Sequence, residues 1–289
     1  MVALDAGTAA LATPRRKRGL GAVFWLAVGW ILLVVVLALL ADVLPLDDPA
    51  RMSLGAGARR APPSAAHWLG TDVFGRDILA RLLYGTRSSL LVGLCAPLLG
   101  MLVGGLLGLL AGYFRGRFEL LVIGGTDVLL AFPPLVLALA MVTALGPSIV
   151  NLVLVLGLLS VPAVARVARV ATLVVRERDF VTAARALGAS DARILRREIL
   201  PNVILPLGAF FLVLVAVVIV AEGILSFLGL GVPAPAPSWG GMIAAGRDSL
   251  DVAPHVAFIP SAVMFLTVLS FNLVGDVLRA ATDPRRGAP

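Results

Sequence analysis

The sequence predicts an all-α integral membrane protein with six transmembrane helices. Three observations carry that prediction. Of the 289 residues, 60% are hydrophobic and 14% charged, whereas a water-soluble domain carries about 25% charged residues. The mean hydropathy of +1.01 places most of the surface against lipid. Finally, the apolar residues gather into runs of about 20, enough helix to cross a hydrocarbon core of about 30 Å, with arginines bracketing the runs.

In chain order, residues 1–19 are a basic tail carrying Arg15, Arg16, Lys17 and Arg18. The first span, 20–41, would be about 33 Å of helix. It is longer than a signal-peptide core and lacks a small-residue cleavage site, so it reads as an uncleaved anchor. A loop, 42–87, leads to a five-helix core, 88–278, with spans at 88–112, 122–145, 148–170, 203–230 and 258–278. A short tail, 279–289, closes the chain. Pro97, Pro133, Pro134, Pro162 and Pro206 fall inside spans, where neighbouring helices can satisfy the freed backbone groups. Gly100, Gly104, Gly105, Gly108 and Gly112 permit close helix approach. Gly104 and Gly108 form a GxxxG, a weak pointer to dimerisation in so Gly-rich a chain.

Within the loop, residues 75–85 predict a short helix. Ile78, Leu79, Leu82 and Leu83 share one face, Arg76, Asp77 and Arg81 the other, and Thr71 or Asp72 can cap it. One reading lays this helix in the membrane interface with its arginines reaching the headgroups; the other packs it on protein. With both termini cytoplasmic, the inner segments hold 17 basic residues and the outer ones seven, the expected asymmetry. Six of those seven lie between Arg51 and Arg87, against the trend.

Other classes are excluded by what the chain lacks. The net charge is +7, but only 6% of residues are aromatic, and the basic residues bracket spans instead of forming a nucleic-acid face. Cys95 is a single cysteine, so there is no intrachain disulfide or cysteine zinc cluster. His67 and His255 are too far apart for a helical ligand pair. The sequence offers no metal set, no catalytic cluster and no Gly-x-x-x-x-Gly-Lys-Ser/Thr phosphate loop. The chain is therefore not read as an enzyme.

The longest hydrophilic stretch on the inner side is the connector 171–202. Phe180, Ala183, Ala184 and Leu187 recur at helical spacing and give a small apolar face. Gly188 can end that helix in the left-handed conformation; Ser190 or Asp191 can cap a second short helix, which stops near Pro201. Such a helix suits docking into a partner's groove, or it packs as a connector on its own membrane helices. Both readings stand at this point.

Ala183, Ala184, Gly188, Leu200 and Pro201 stand at the spacings of the EAA loop, which this segment resembles, in the permeases of ABC importers. Thr182 replaces the family's Glu, and Glu198 its Ile. The resemblance extends to His67–Asp77, to Glu222–Gly231 with Pro233–Trp239, and to Phe271–Asp276 through Asp283-Pro284-Arg285. It is closest to the second, C-type permease of the dipeptide, oligopeptide and nickel branch. The resemblance implies a type I importer permease fold in a bacterial inner membrane. It also implies a coupling helix in which Asp179, Phe180, Ala183, Ala184, Leu187, Gly188 and Ala189 meet a cytoplasmic ATPase. The implied partners are a paralogous permease, two ATPase subunits binding ATP and Mg, and an extracytoplasmic substrate-binding protein. No cofactor is expected on this chain.

Asp127, Glu222 and Asp276 lie in or at the ends of apolar runs. A carboxylate at the bilayer centre costs about 2.5–3.5 kcal/mol on insertion scales, so such groups face protein or water. Glu222, Asp127 and Asn272 are the candidates for the pathway or its gate, against a purely interhelical role, which the position of Asp276 near the inner end favours for that residue. The rival functional reading is an ion-gradient-driven secondary transporter or channel using these carboxylates; it would favour internal inverted repeats.

Overall fold

A computed structural model describes residues 21–53 and 57–282; the basic tail and Asp283–Pro289 lie outside the described residues. The helices are α1 (Ala22–Leu40), α2 (Ile78–Phe114), α3 (Gly116–Leu130), α4 (Pro134–Leu145), α5 (Ile149–Arg176), α6 (Asp179–Ala186), α7 (Asp191–Ile194), α8 (Leu200–Phe227), α9 (Trp239–Gly246) and α10 (His255–Thr282). Five of them, counting α8 with the turns that precede it, are long and apolar enough to cross a membrane. α3 and α4 together would make the sixth span, but an 83° bend breaks them. Pro133 and Pro134 account for the break. Neither supplies an N–H, and each disfavours helical backbone in the residue before it, whereas Pro134 fits the first turn of the new helix.

α1 is apolar around its whole circumference, with Trp25, Leu26 and Leu39 exposed; a helix of that pattern matches lipid. It packs on α10 and α2, and Trp30 Nε1–H donates to Thr267 Oγ1 at 3.1 Å.

α2 corrects the expectation of a separate interfacial helix. Residues 78–85 are its first turns, and the helix runs unbroken for 37 residues, about 55 Å. No breaker separates residues 85 and 88, and Thr86 returns its hydroxyl to Leu82 O. The N-cap is Asp77, whose carboxylate accepts from Ala80 N at 2.8 Å. Arg76, Asp77 and Arg81 are buried, so this segment packs on protein. Arg81 pairs with Asp72 and not with Asp77; Asp72 also accepts from Arg76 Nε at 2.7 Å. Arg87 and Tyr84 both donate to Asp42. The Arg87 hydrogen bond, more than that of Tyr84, holds the Asp42 carboxyl below its ordinary range. Three of the arginines that opposed the expected charge asymmetry are thus paired locally with two carboxylates, Asp72 serving two of them.

The centre of the fold is α2 against α5, the most extensive helix contact in the chain. Gly100, Gly104, Gly108 and Gly112 form one ladder at four-residue spacing along the contact. A Cβ at Gly104 would sit 2.5 Å from Val161 O, and one at Gly112 would sit 2.8 Å from Arg169 O. The GxxxG is therefore an intrachain interface, and the two backbones touch because no side chain separates them. α8 and α10 pack beside this pair, and α9 closes one rim, with Trp239 fully buried and its indole donating to Thr86. His255 Nε2 lies 3.1 Å from Ala61 O, joining α10 to the 42–77 loop on that same rim.

Candidate coupling and pathway sites

At the opposite rim the connector is shorter than expected. α5 continues to Arg176, and the second short helix does not stop near Pro201. It passes through a π turn, Leu195–Ile199, directly into α8. In that turn Leu200 N bonds Leu195 O, a wider i→i+5 spacing, and Pro201, in the first turn of α8, occupies a position where an N–H is dispensable. Ser190 stands at the N-cap of α7 without a side-chain cap bond.

α6 ends as Gly188 requires. Its φ is +79°, Gly188 N bonds Arg185 O at 3.0 Å, and Ala189 N bonds Ala184 O at 3.1 Å; this pair of bonds is a Schellman motif. The helix is rotated relative to the predicted apolar face. Val181 is fully buried, with Ala184 and Ala189 packed beside it against α2, α5 and α8. Phe180, Ala183 and Leu187, at i, i+3 and i+7, point outward together with Asp179 and Gly188. Leu187 is 88% exposed and Phe180 44%. Val181 took the anchoring role because a helix of eight residues can place only one apolar edge inward; the other edge has no partner among the described residues.

Sequence reasoning missed Tyr113, at the last turn of α2. Its hydroxyl donates to Asp191 Oδ1 at 2.5 Å, the Arg176 guanidinium lies 5.8 Å from its ring centroid, and Arg185 of α6 stands beside the same hydroxyl. One buried side chain thereby ties the ends of α2 and α5 to α6 and α7. A signal was present: Tyr113 is one of two tyrosines in the chain, placed where an apolar run meets the polar rim.

The three pathway candidates are not brought together. Asn272, on α10, donates to Val268 O of its own helix at 2.9 Å. Glu222, on α8, is 1% exposed. Its Oε1 accepts from Ser226 Oγ at 2.6 Å, while Oε2 has no hydrogen-bond partner. Next to it the α8 and α9 backbones are in close contact, since a Cβ at Gly240 would lie 2.6 Å from Gly223 Cα. Glu222 therefore sits in the seam that holds α9, away from any open surface of the chain. Asp127, on α3, accepts from Arg166 Nη2 of α5 at 2.6 Å, both half-exposed; Glu119 and Arg169 make a second ion pair between the same helices. Two arginines within an apolar run, three residues apart, were the available signal for this ladder.

Comparison with known proteins joins these observations. Residues 104–287 match the family model described as binding-protein-dependent transport system inner membrane component. The chain is 43% identical over 223 residues to the glutathione transport system permease protein GsiD of Pectobacterium atrosepticum, covering 77% of this chain and 74% of that one. It is 45% identical to the protein of the same name from Escherichia coli O157:H7, with the same coverage. In fold it is similar to a chain of the MetNI methionine ABC transporter in an inward-facing conformation. That likeness has a TM-score of 0.59 at 18% identity, over 71% of this chain and 98% of that one. An amino acid ABC transporter solved with histidines gives a TM-score of 0.51 at 21% identity, over 70% of this chain and 94% of that one.

Proposed function

Because the chain belongs to the family of binding-protein-dependent transport system inner membrane components, we propose that it is the permease half of a peptide importer driven by ATPases that dock on α6. As an ABC importer permease it is a multi-pass inner-membrane subunit and not itself the ATPase. The family relationship implies ATPase, partner-permease and binding-protein subunits in general. The finer reading is a paralogous second permease, two cytoplasmic ATPase subunits holding ATP and Mg, and an extracytoplasmic binding protein facing the α9 rim. Both termini and α6 then lie in the cytoplasm, as the arginine asymmetry favours.

Exposure carries the coupling assignment. α6 presents Phe180, Ala183 and Leu187 to solvent on an outward edge while Val181 fixes it to the membrane core. A connector that packed on its own helices would have buried Leu187. An exposed apolar edge on a rim rich in arginine is the pattern of a docking helix. The relatives' names point to glutathione, a tripeptide derivative, and support short peptides as the substrate class.

The test is affinity purification of the tagged chain from native membranes, wild type against Leu187→Asp. Because Leu187 is solvated, the substitution leaves the fold intact. Wild type should retain ATPase activity that a binding protein stimulates, and Leu187→Asp should lose most of it at unchanged expression. Equal ATPase recovery by both chains would overturn the docking assignment, and recovery by neither would overturn the importer reading.

A further inference from the structure

Two features of α3 and α5 are incompatible with lipid, and they lie side by side. Asp127 and Arg166 have 54% and 52% of their side chains exposed. Gly108 packs on Ala165, so Arg166 and its partner lie about one turn, roughly 6 Å, inside the inner end of the apolar spans. Charged groups at that depth face a protein interior or water. One turn beyond Asp127, the helix break exposes Ala131, Phe132 and Pro133. Non-helical backbone at membrane depth is stable only when buried in protein or lining a water-filled cavity, and none of the described residues buries it. Along α5, Leu158, Val170 and Val174 continue the exposed stripe on which Arg166 stands.

We propose that this face of α3 and α5 borders the water-filled passage, and that the Asp127–Arg166 pair is a transient contact for a short peptide with free amino and carboxylate ends. The proposal rests on the importer reading. The hydrogen bond from Arg166 Nη2 to Asp127 Oδ1 engages one of the guanidinium's five donors. A peptide carboxylate can meet Arg166 while a peptide ammonium meets Asp127, an exchange that leaves the net charge of the passage unchanged. The apolar stripe on either side makes no demand on peptide side chains. Binding of this kind is weak and indifferent to sequence, which suits a passage where the binding protein has already selected the cargo.

The experiment uses the whole transporter in lipid nanodiscs, with Cys95→Ser as background and ATPase content measured first, so that failure of the importer reading shows there. Ala131→Cys and Val170→Cys should react with a charged, water-soluble thiol reagent about tenfold faster than Leu26→Cys on lipid-facing α1. Alanyl-alanine should slow that reaction several-fold, the same dipeptide with both ends blocked should not, and Arg166→Gln should abolish the protection. Rates equal to that of Leu26→Cys would show that this face does not meet water. Absent protection, equal protection by the blocked peptide, or protection surviving Arg166→Gln would show that the pair does not contact peptide ends. Any of these results overturns the proposal.

Discussion

Replacing Tyr113 by Phe isolates the bond that ties the docking helix to the membrane core. The aromatic ring stays, and with it the edge-on packing against Phe114 at 5.0 Å and the Arg176 contact at 5.8 Å. What disappears is the 2.5 Å hydrogen bond to Asp191 together with the hydroxyl's contact to Arg185. A bond to a charged group contributes about 1.5–3 kcal/mol. Asp191 is exposed, so water can replace the phenol and the loss belongs at the lower end, about 1.5 kcal/mol, or roughly tenfold in a local opening equilibrium. Hydrogen exchange should therefore rise about tenfold across residues 179–194 while α2 and α5 keep their protection. Peptide imported per ATP hydrolysed should fall, because α6 then moves without carrying α2. In a double-mutant cycle, Asp191→Ala combined with Tyr113→Phe should cost little more than either alone. Unchanged exchange in 179–194, or additive effects in the cycle, would refute the reasoning.

Two further outcomes follow from burial. Gly104→Ala places a methyl 2.5 Å from Val161 O, well inside ordinary contact, and should destabilise the purified subunit by about 1–3 kcal/mol; Gly105→Ala, whose nearest neighbour is 3.8 Å away, should leave the melting temperature unchanged. Glu222→Gln keeps an acceptor for Ser226 and should import peptide at near wild-type rates, whereas Glu222→Ala opens a cavity under α9 and should lower thermal stability by about 2–3 kcal/mol; a transport defect in Glu222→Gln with normal stability would restore Glu222 to the pathway.

What the sequence revealed follows from which physics is local. Span positions were readable because lipid demands long apolar runs whatever the tertiary packing, and Gly188 was readable because a left-handed residue must end α6. The identity of the buried edge of α6 was not readable. Phe180, Ala183, Ala184 and Leu187 and the alternative pair Val181 and Ala184 both satisfy helical spacing, and only the position of α6 against Ile194 and Ile199 chooses between them. The continuity of α2 escaped for a similar reason. Arg76, Arg81 and Arg87 look like a solvated face until the fold turns Asp72, just upstream, onto the first two and brings Asp42, across the loop, to the third. The prolines at 133 and 134 were legible, but the 83° angle between α3 and α4 was not, because a missing N–H marks where a helix breaks and not where the chain turns next.

The run from α7 through the π turn into α8 explains how a small docking helix can influence a distant rim. From Asp191 to Phe227 the chain is one helical rod, about 55 Å long. Its first turn is held by Tyr113 beside α6, and its last turns carry Glu222, Gly223 and Ser226 against α9. On the proposed reading, a displacement of α6 reaches the α9 rim without crossing a loop, provided the rod is stiff. Its weakest point is the π turn, where wider hydrogen-bond spacing allows one residue to be gained or lost by a shift in register. Pro201 lies just beyond that turn and lacks the N–H that would lock an ordinary helical register there. The rod is thus stiff where it spans the membrane and adjustable where it meets α6, so the register of the π turn sets how much motion of the docking helix reaches α8.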